Sequence, residues 1–211
     1  MTDTKTSARD RILDAAQTLV TEHGFTGTSV DSILSVADAS KGAFFHHFDS
    51  KDSLGEALLR RYADADAEIL DDLFMQVEAV TDDPAEQLVG FVKLFEQAAD
   101  EMTKVMPGCL FVSFVYERGP SVQRSDEIIL ESIELWRNRV LAKLEEAALS
   151  RPDLANLDLP ALADQVFTVF EGGFILARAT GEPERLRRQL AHLRRYLAIL
   201  LDVAFDPQDN S

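Results

Sequence analysis

One stretch, Thr28 to Lys51 (TSVDSILSVADASKGAFFHHFDSK), leaves the chain few choices of local structure. Thr28 followed by Asp31 has the spacing of a capping box, in which the hydroxyl accepts from a free backbone N–H and the carboxylate reaches back, so a helix is expected to start there. Val30, Ile33, Leu34 and Ala37 repeat at helical spacing and give that helix one apolar face. Asp38-Ala39-Ser40 then interrupts it: aspartate tolerates the left-handed backbone of a tight interhelical turn, and Ser40 can cap the next helix. That second short helix opens with Lys41, Gly42, Ala43 and Phe44, small or basic in its first turn, with Phe45 and Phe48 three apart. Asp49-Ser50-Lys51-Asp52 supplies the cap of a third.

Such an arrangement has a chemical use. A helix with small residues in its first turn can bring its backbone close to a partner, and the second helix of a helix-turn-helix reads DNA from the major groove. On that reading Ser40, Lys41, Gly42 and Ala43 face base edges and the adjoining backbone. Thr28, His46 and Lys51 meet mainly phosphates, which position a domain without reading sequence. The outward N–H groups of the third helix, beside Lys51, suit the same anion. Ser29 and Phe45 complete the candidate DNA-facing set, while His47 and Phe48 are assigned to packing. The plainer alternative is three short helices in a bundle whose lysines are incidental.

The order of these residues resembles the DNA-binding domain of the tetracycline-repressor (TetR) family of bacterial regulators. The family pattern runs roughly G-F-x-x-T-S-x-x-x-I, then S-K-G-x-x-Y-x-H-F, then x-S-K. Here stand Gly24, Phe25, Thr28, Ser29 and Ile33; then Ser40, Lys41, Gly42, His47 and Phe48; then Ser50 and Lys51. Phe45 takes the place of a frequent tyrosine, so a phenol-to-phosphate hydrogen bond is not carried over, and Asp38 takes the place of a frequent glycine. The resemblance implies an all-α protein: an N-terminal three-helix DNA-binding domain with a helix-turn-helix, and a C-terminal helical bundle for ligand binding and dimerisation.

The charge balance first argues against nucleic acid. The formal net charge is −16, whereas phosphate binding ordinarily leaves a basic footprint. Up to residue 61, however, 7 Lys+Arg stand against 9 Asp+Glu, a net −2, and the remainder holds 14 against 28, a net −14. Screening over roughly 8 Å at physiological salt lets a distant acidic region weaken a contact without abolishing it. A single cysteine, Cys109, excludes an intramolecular disulfide and a cysteine-rich zinc site, and the four histidines show no metal-ligand spacing. The N-terminus lacks the apolar core of a signal peptide, and no run is expected to approach the ~20 apolar residues of a membrane span. These features point to a cytoplasmic protein with neither cofactor nor metal.

The rest of the chain reads as helix. Ser7 with Asp10 caps a first helix carrying Ile12, Ala16, Leu19 and Val20. A long one follows from Ser50 through Leu54, Leu58, Tyr62, Ala65, Ile69, Leu73 and Val77, a lever about 30 Å long or more at 1.5 Å per residue. Asp83-Pro84-Ala85-Glu86 is a strong start for another. Between Pro107-Gly108 and Gly119-Pro120 an apolar run from Cys109 to Tyr116 is assigned to helix, because no second strand exists to pair with it. Ser125–Ser150 is amphipathic, and two helices, 160–180 and 183–204, joined by Gly181-Glu182, form an antiparallel hairpin. Apolar residues on more than one side of that pair suit a homodimer of four helices from two chains. The expected organisation is 1–52 for DNA binding, 53–206 for ligand binding and dimerisation, and a frayed tail over 207–211.

Function is therefore expected to be transcriptional regulation. A homodimer would hold two recognition helices about 34–36 Å apart, or a multiple, on a pseudo-palindromic DNA operator, as a repressor released by an unknown small-molecule effector or an electrophile. Phe91, Phe95, Met102, Cys109, Phe111, Phe114, Trp136, Phe170 and Phe174, with Phe167, are candidates for an apolar effector pocket between helices, although each alone also suits a core. Cys109 is either a thiol sensor or a small buried hydrophobe; the nearest base, Lys104, is five residues away. Arg185, Arg187, Arg188, Arg194 and Arg195 interleave with leucines and read as a solvated helix face. A helical interaction protein that does not bind DNA, and an enzyme using Cys109, are the competing classes. For the enzyme no local base is in view, and no enzymatic activity is expected.

Overall fold

The computed structural model describes residues 7–105, 109–115, 117 and 123–204, and all secondary structure among them is helical. In chain order the helices are α1 (Ala8–His23), α2 (Val30–Ala37), α3 (Lys41–His47), α4 (Lys51–Glu78), α5 (Pro84–Val105), α6 (Leu110–Val115), α7 (Gln123–Ala148), α8 (Leu159–Thr180) and α9 (Glu184–Leu200). A 3-10 helix, Pro152–Asn156, joins α7 to α8. The apolar run after Cys109 is helical over Leu110–Val115, as expected for a run with no second strand to pair with. The Pro107-Gly108 and Gly119-Pro120 breaks and the 207–211 tail lie outside the described residues.

The chain divides into two compact units: Met1–Ala65 with Cys109–Glu131, and Asp66–Gly108 with Ser132–Ser211. The division passes through α4 between Ala65 and Asp66 and through α7 between Glu131 and Ser132. The unit holding the helix-turn-helix thus takes in more than residues 1–52, adding the first half of α4, α6 and the start of α7.

In the first unit, α2 and α3 have only eight and seven residues, too few for a helix to persist alone in water. Burial holds them. Ile12, Leu13, Ala16 and Val20 of α1, Ile33, Leu34 and Ala37 of α2, Phe44 of α3, Phe48, and Leu54, Leu58 and Leu59 of α4 are all buried, and α1 packs on both α2 and α3. Full burial of one such large side chain contributes ~1.5–3 kcal/mol. α1 starts where expected: Ser7 Oγ accepts from the Asp10 N–H at 3.1 Å and donates to its carboxylate at 2.6 Å. The cap of α2 is one residue later than expected. Ser29 and Ser32 form the reciprocal capping box, not Thr28 and Asp31; the Thr28 side chain is turned inward, its one hydroxyl proton shared between the carbonyls of Gly24 (2.8 Å) and Leu19 (3.2 Å). Asp38 does adopt the left-handed conformation, φ 48° and ψ 52°. The Arg11 guanidinium reaches across from α1 to donate to the carbonyls of Ala37 (3.1 Å) and Asp38 (3.4 Å), satisfying the end of α2.

α4 is one unbroken helix of 28 residues, about 42 Å at 1.5 Å per residue. Its buried stripe beyond Tyr62 is not the expected Ala65–Ile69–Leu73 row. Leu70 and Phe74 are buried while Ile69 is exposed, because the stripe continues in steps of four rather than slipping to three.

In the second unit α9 packs on α5 and α8. Asp83 caps α5 through the Ala85 N–H at 3.0 Å, and its carboxylate also receives both terminal nitrogens of Arg151, at 3.0 and 2.6 Å. Arg151 Nε donates to the Leu201 carbonyl at 2.7 Å, tying the end of α9 to the start of α5. The expected α8–α9 hairpin turns at Gly181, φ 69°. Gly173 lets the pair close up, since a Cβ there would lie 2.6 Å from Leu186 Cδ1. Two expectations are corrected here. α9 ends at Leu200 rather than Ala204, Asp202 being left-handed at φ 53°. Arg194 is no solvated residue: it is 2% exposed and donates through Nε to Glu96 at 2.7 Å. α8 is also long and apolar enough, by length and composition, to cross a membrane, contrary to expectation. Its apolarity is spread over two faces, one on α9 and one bearing the exposed Ile175 and Leu176.

Candidate nucleic-acid interface

Four of the nine candidate DNA-facing residues, Ser29, Lys41, Phe45 and Lys51, come together in the first unit. Ser29, Asp31, Lys41, Phe45, Ser50 and Lys51 line a single hollow of about 340 Å³ where α2, α3 and the start of α4 meet. The capping chemistry explains the convergence. Ser29, Ser40 and Ser50 each cap a helix, so the free N–H groups of three helix starts belong to one small unit. Ser40 Oγ accepts from the Ala43 N–H at 3.1 Å, and Ser50 and Ser53 form a reciprocal pair at 3.0 and 3.1 Å.

Lys41 is exposed at the start of α3 and pairs with Asp31, Nζ to Oδ1 at 3.0 Å. Lys51 is half-buried: its ammonium stands 4.5 Å from the centre of the Phe25 ring and 3.5 Å from the Thr26 carbonyl. Phe45 is 62% exposed, a large apolar ring with no core to enter, whereas Phe44 behind it is buried. Gly42 is exposed, and a Cβ there would meet nothing nearer than Ser40 Oγ at 3.8 Å. Neither φ nor packing inside the protein requires glycine at that place.

Three assignments change. Thr28 is 2% exposed with its hydroxyl turned inward, so it shapes the loop before α2 and does not present that hydroxyl to a phosphate. His47, assigned to packing, is exposed and makes edge contacts with His46 and Phe48; Phe48 is buried, 5.6 Å ring to ring from Phe44. Asp31, which sequence placed in a cap, instead pairs with Lys41 at the same hollow.

The candidate effector residues separate into two groups. Phe91, Phe95, Trp136 and Phe170 form one cluster in the second unit, each ring touching every other at centroid distances of 4.5–6.3 Å. Met102, Phe167 and Phe174 pack partly buried against the same core. Phe111, Phe114 and Cys109 belong to the first unit, where Phe111 meets Tyr62 and Phe114 meets Phe25. Cys109 is half-buried just before α6. Sequence reasoning missed two members of the cluster. Phe74 stacks on Phe91 at 4.4 Å. Asp66 accepts from the Trp136 indole N–H at 2.6 Å, and burial pushes its carboxyl up to about 6 despite that hydrogen bond. Their signal was an acidic residue on an otherwise apolar step-of-four row, Tyr62–Asp66–Leu70–Phe74.

Sequence profiles of two kinds match the chain. Residues 12–58 match the bacterial regulatory proteins of the tetR family, and residues 84–193 match the tetracyclin repressor-like C-terminal domain. The chain belongs to the TetR family of DNA-binding transcriptional regulators, proteins that regulate transcription rather than catalyse reactions. Among its relatives is the transcriptional regulator AcuR of Cereibacter sphaeroides, 28% identical over 182 residues, 85% of this chain and 80% of that one. The HTH-type transcriptional repressor NemR of Escherichia coli is 25% identical over 201 residues, 92% of this chain and 96% of that one. The crystal structure of a regulatory protein TetR from Rhodobacter sphaeroides superposes with a TM-score of 0.75 at 26% identity, covering 90% of this chain and 98% of that one.

Proposed function

We propose that this regulator is a repressor that binds a pseudo-palindromic operator as a homodimer and leaves it when an effector occupies the second unit. The observation that carries the DNA contact is the convergence of Ser29, Lys41, Phe45, Ser50 and Lys51 on one hollow, beside a glycine that the protein's own packing does not need. Lys41, Gly42 and Ala43 approach base edges; Lys51 and the α4 N-terminus take a phosphate; Ser29, Ser40 and His46 flank them. Residues 1–52 hold the contacts, and 53–206 the effector and dimer functions. The similarity to NemR and to DhaR of Mycobacterium, both transcriptional repressors, supports the direction of regulation.

The dimer reading is supported by the outer face of the α8–α9 hairpin, where Ile175, Leu176, Tyr196 and Ile199 are all exposed. A second copy that covers this face would form a four-helix interface. For the effector, the aromatic cluster with Asp66 favours an apolar molecule bearing a hydrogen-bond donor or a positive charge, opening space among rings that otherwise pack on one another. Because α4 runs unbroken from one unit into the other, an effector that favours one placement of its second half can shift the population of the DNA-competent state. Electrophile release is a second reading, carried by the half-exposed Cys109 at the head of α6. The setting is the bacterial cytoplasm.

The test is selection of a binding site from random-sequence duplexes, followed by gel shifts with the selected duplex and the protein's own upstream DNA. Lys41→Ala and Lys51→Ala should each weaken binding. No selected site, with dimerisation intact at low salt, would leave only an interaction protein. Loss of binding on electrophile treatment in wild type but not in Cys109→Ser would establish the thiol route.

A further inference from the structure

The first unit contains a contact that DNA binding alone does not explain. Phe114 of α6 stands 4.7 Å ring to ring from Phe25 in the loop between α1 and α2. The same loop also meets α4: the Lys51 ammonium lies 4.5 Å from the Phe25 centroid. Gly55, one turn along α4, makes room for both rings. A Cβ there would sit 2.8 Å from Phe25 Cε2 and Cζ and 3.4 Å from Phe114 Cε1. Two residues past α6, the Glu117 carboxylate accepts from the Thr26 N–H, while Lys51 reaches the carbonyl of the same Thr26 at 3.5 Å. The loop is therefore held from α6 by a ring and a carboxylate, and in turn holds the cation.

We propose that Phe25, Phe114 and Glu117 are positioning residues for DNA binding: α6 and Glu117 set where Lys51 presents its charge to a phosphate. This rests on the reading that Lys51 meets DNA. The physical reason is that a lysine stem has four rotatable bonds and, left free, spreads its charge over many positions. A ring face within 6 Å draws the ammonium to one of them. The same ring packs on Phe114, so the placement of α6 bears on the ring that faces the ammonium, although no residue of α6 need touch DNA. Phe25 stands in the family pattern, and its role here comes from its contacts with both Phe114 and the Lys51 ammonium.

The experiment uses the full-length protein and the duplex selected by wild type, with the affinity measured across a salt series. Removing one phosphate contact lowers the slope of log K against log salt by about 0.9. Lys51→Ala should show this decrease for each recognition helix bound. Phe25→Leu and Phe114→Leu, which keep apolar bulk but remove a ring, should bind about two- to fivefold more weakly and move the slope toward the Lys51→Ala value. Added to Lys51→Ala, neither should lower affinity or slope further, and Phe114→Tyr should restore both. Glu117→Gln should behave as Phe114→Leu does, more mildly. Melting curves identify any variant that does not fold, and the tyrosine variant then carries the comparison. Weaker binding with an unchanged slope, or decreases that add to that of Lys51→Ala, would mean the rings serve only to hold the fold and would overturn the proposal. An unchanged slope in Lys51→Ala itself would remove the underlying DNA assignment of Lys51.

Discussion

Gly42→Ala separates a glycine kept for the fold from one kept for a partner. Glycine inside a helix costs roughly 0.5–1 kcal/mol against alanine, through the extra freedom of the unfolded chain. Gly42 is the second residue of α3, its backbone is not left-handed, and an added Cβ would have ordinary clearance at 3.8 Å from Ser40 Oγ. Alanine should then raise stability by up to about 1 kcal/mol, or about 2–4 °C in Tm for a chain of this length. If α3 lies against DNA at this residue, the same methyl enters a packed contact, where an added methyl group costs ~1–3 kcal/mol. The affinity should fall roughly 5- to 150-fold, at 1.4 kcal/mol per tenfold. Fluorescence anisotropy on the selected duplex and thermal unfolding by circular dichroism measure both quantities in one preparation. A variant that binds as tightly as wild type would refute the close approach of the α3 backbone. A variant that unfolds earlier would show that the glycine serves the fold after all.

Single contacts elsewhere carry their own expected outcomes. Asp31→Asn removes the anion that competes with DNA for Lys41, so binding should tighten by up to about fivefold, most at low salt, given the 0–1 kcal/mol typical of an exposed pair; weaker binding would count against Lys41 facing phosphate or base. Asp66, raised from 3.8 to about 6 by burial, makes a contribution to stability that is full below pH ~3.8 and is lost progressively up to about pH 6, since the folded state holds the proton longer. Trp136 is the only tryptophan, so its fluorescence should titrate with a midpoint near 6 and lose that step in Asp66→Asn, which denaturant unfolding should find less pH-dependent over this window. Arg194→Met should destabilise by about 3–5 kcal/mol by leaving Glu96 buried without its Arg194 partner, and adding Glu96→Leu should recover most of that stability in urea unfolding.

Much of this protein was legible in residue order alone. Helix starts depend on chemistry within four residues, so Ser7, Ser40, Ser50, Asp83 and Gly181 announce the boundaries they make. The left-handed turn at Asp38 is of the same kind, and so is the spacing that carries the family resemblance. Periodicity also delivered four of the rings that meet in the second unit, because a helical stripe must face something.

Tertiary structure decided whatever depended on a partner far along the chain. Thr28 and Ser29 are equally good caps locally; the carbonyls of Leu19 and Gly24 take the threonine and leave the serine to α2. Arg194 looks like its exposed neighbours until Glu96, 98 residues away, stands 2.7 Å from it. Asp66 acquires its raised proton affinity from the burial around it beside Trp136, and Phe114 and Glu117 reach the helix-turn-helix across some ninety residues of sequence. Local hydrogen bonds form between atoms the backbone already holds close, so they can be read from spacing. Desolvation and long-range ring or ion contacts depend on which surfaces the whole fold brings together, and only the folded chain specifies those.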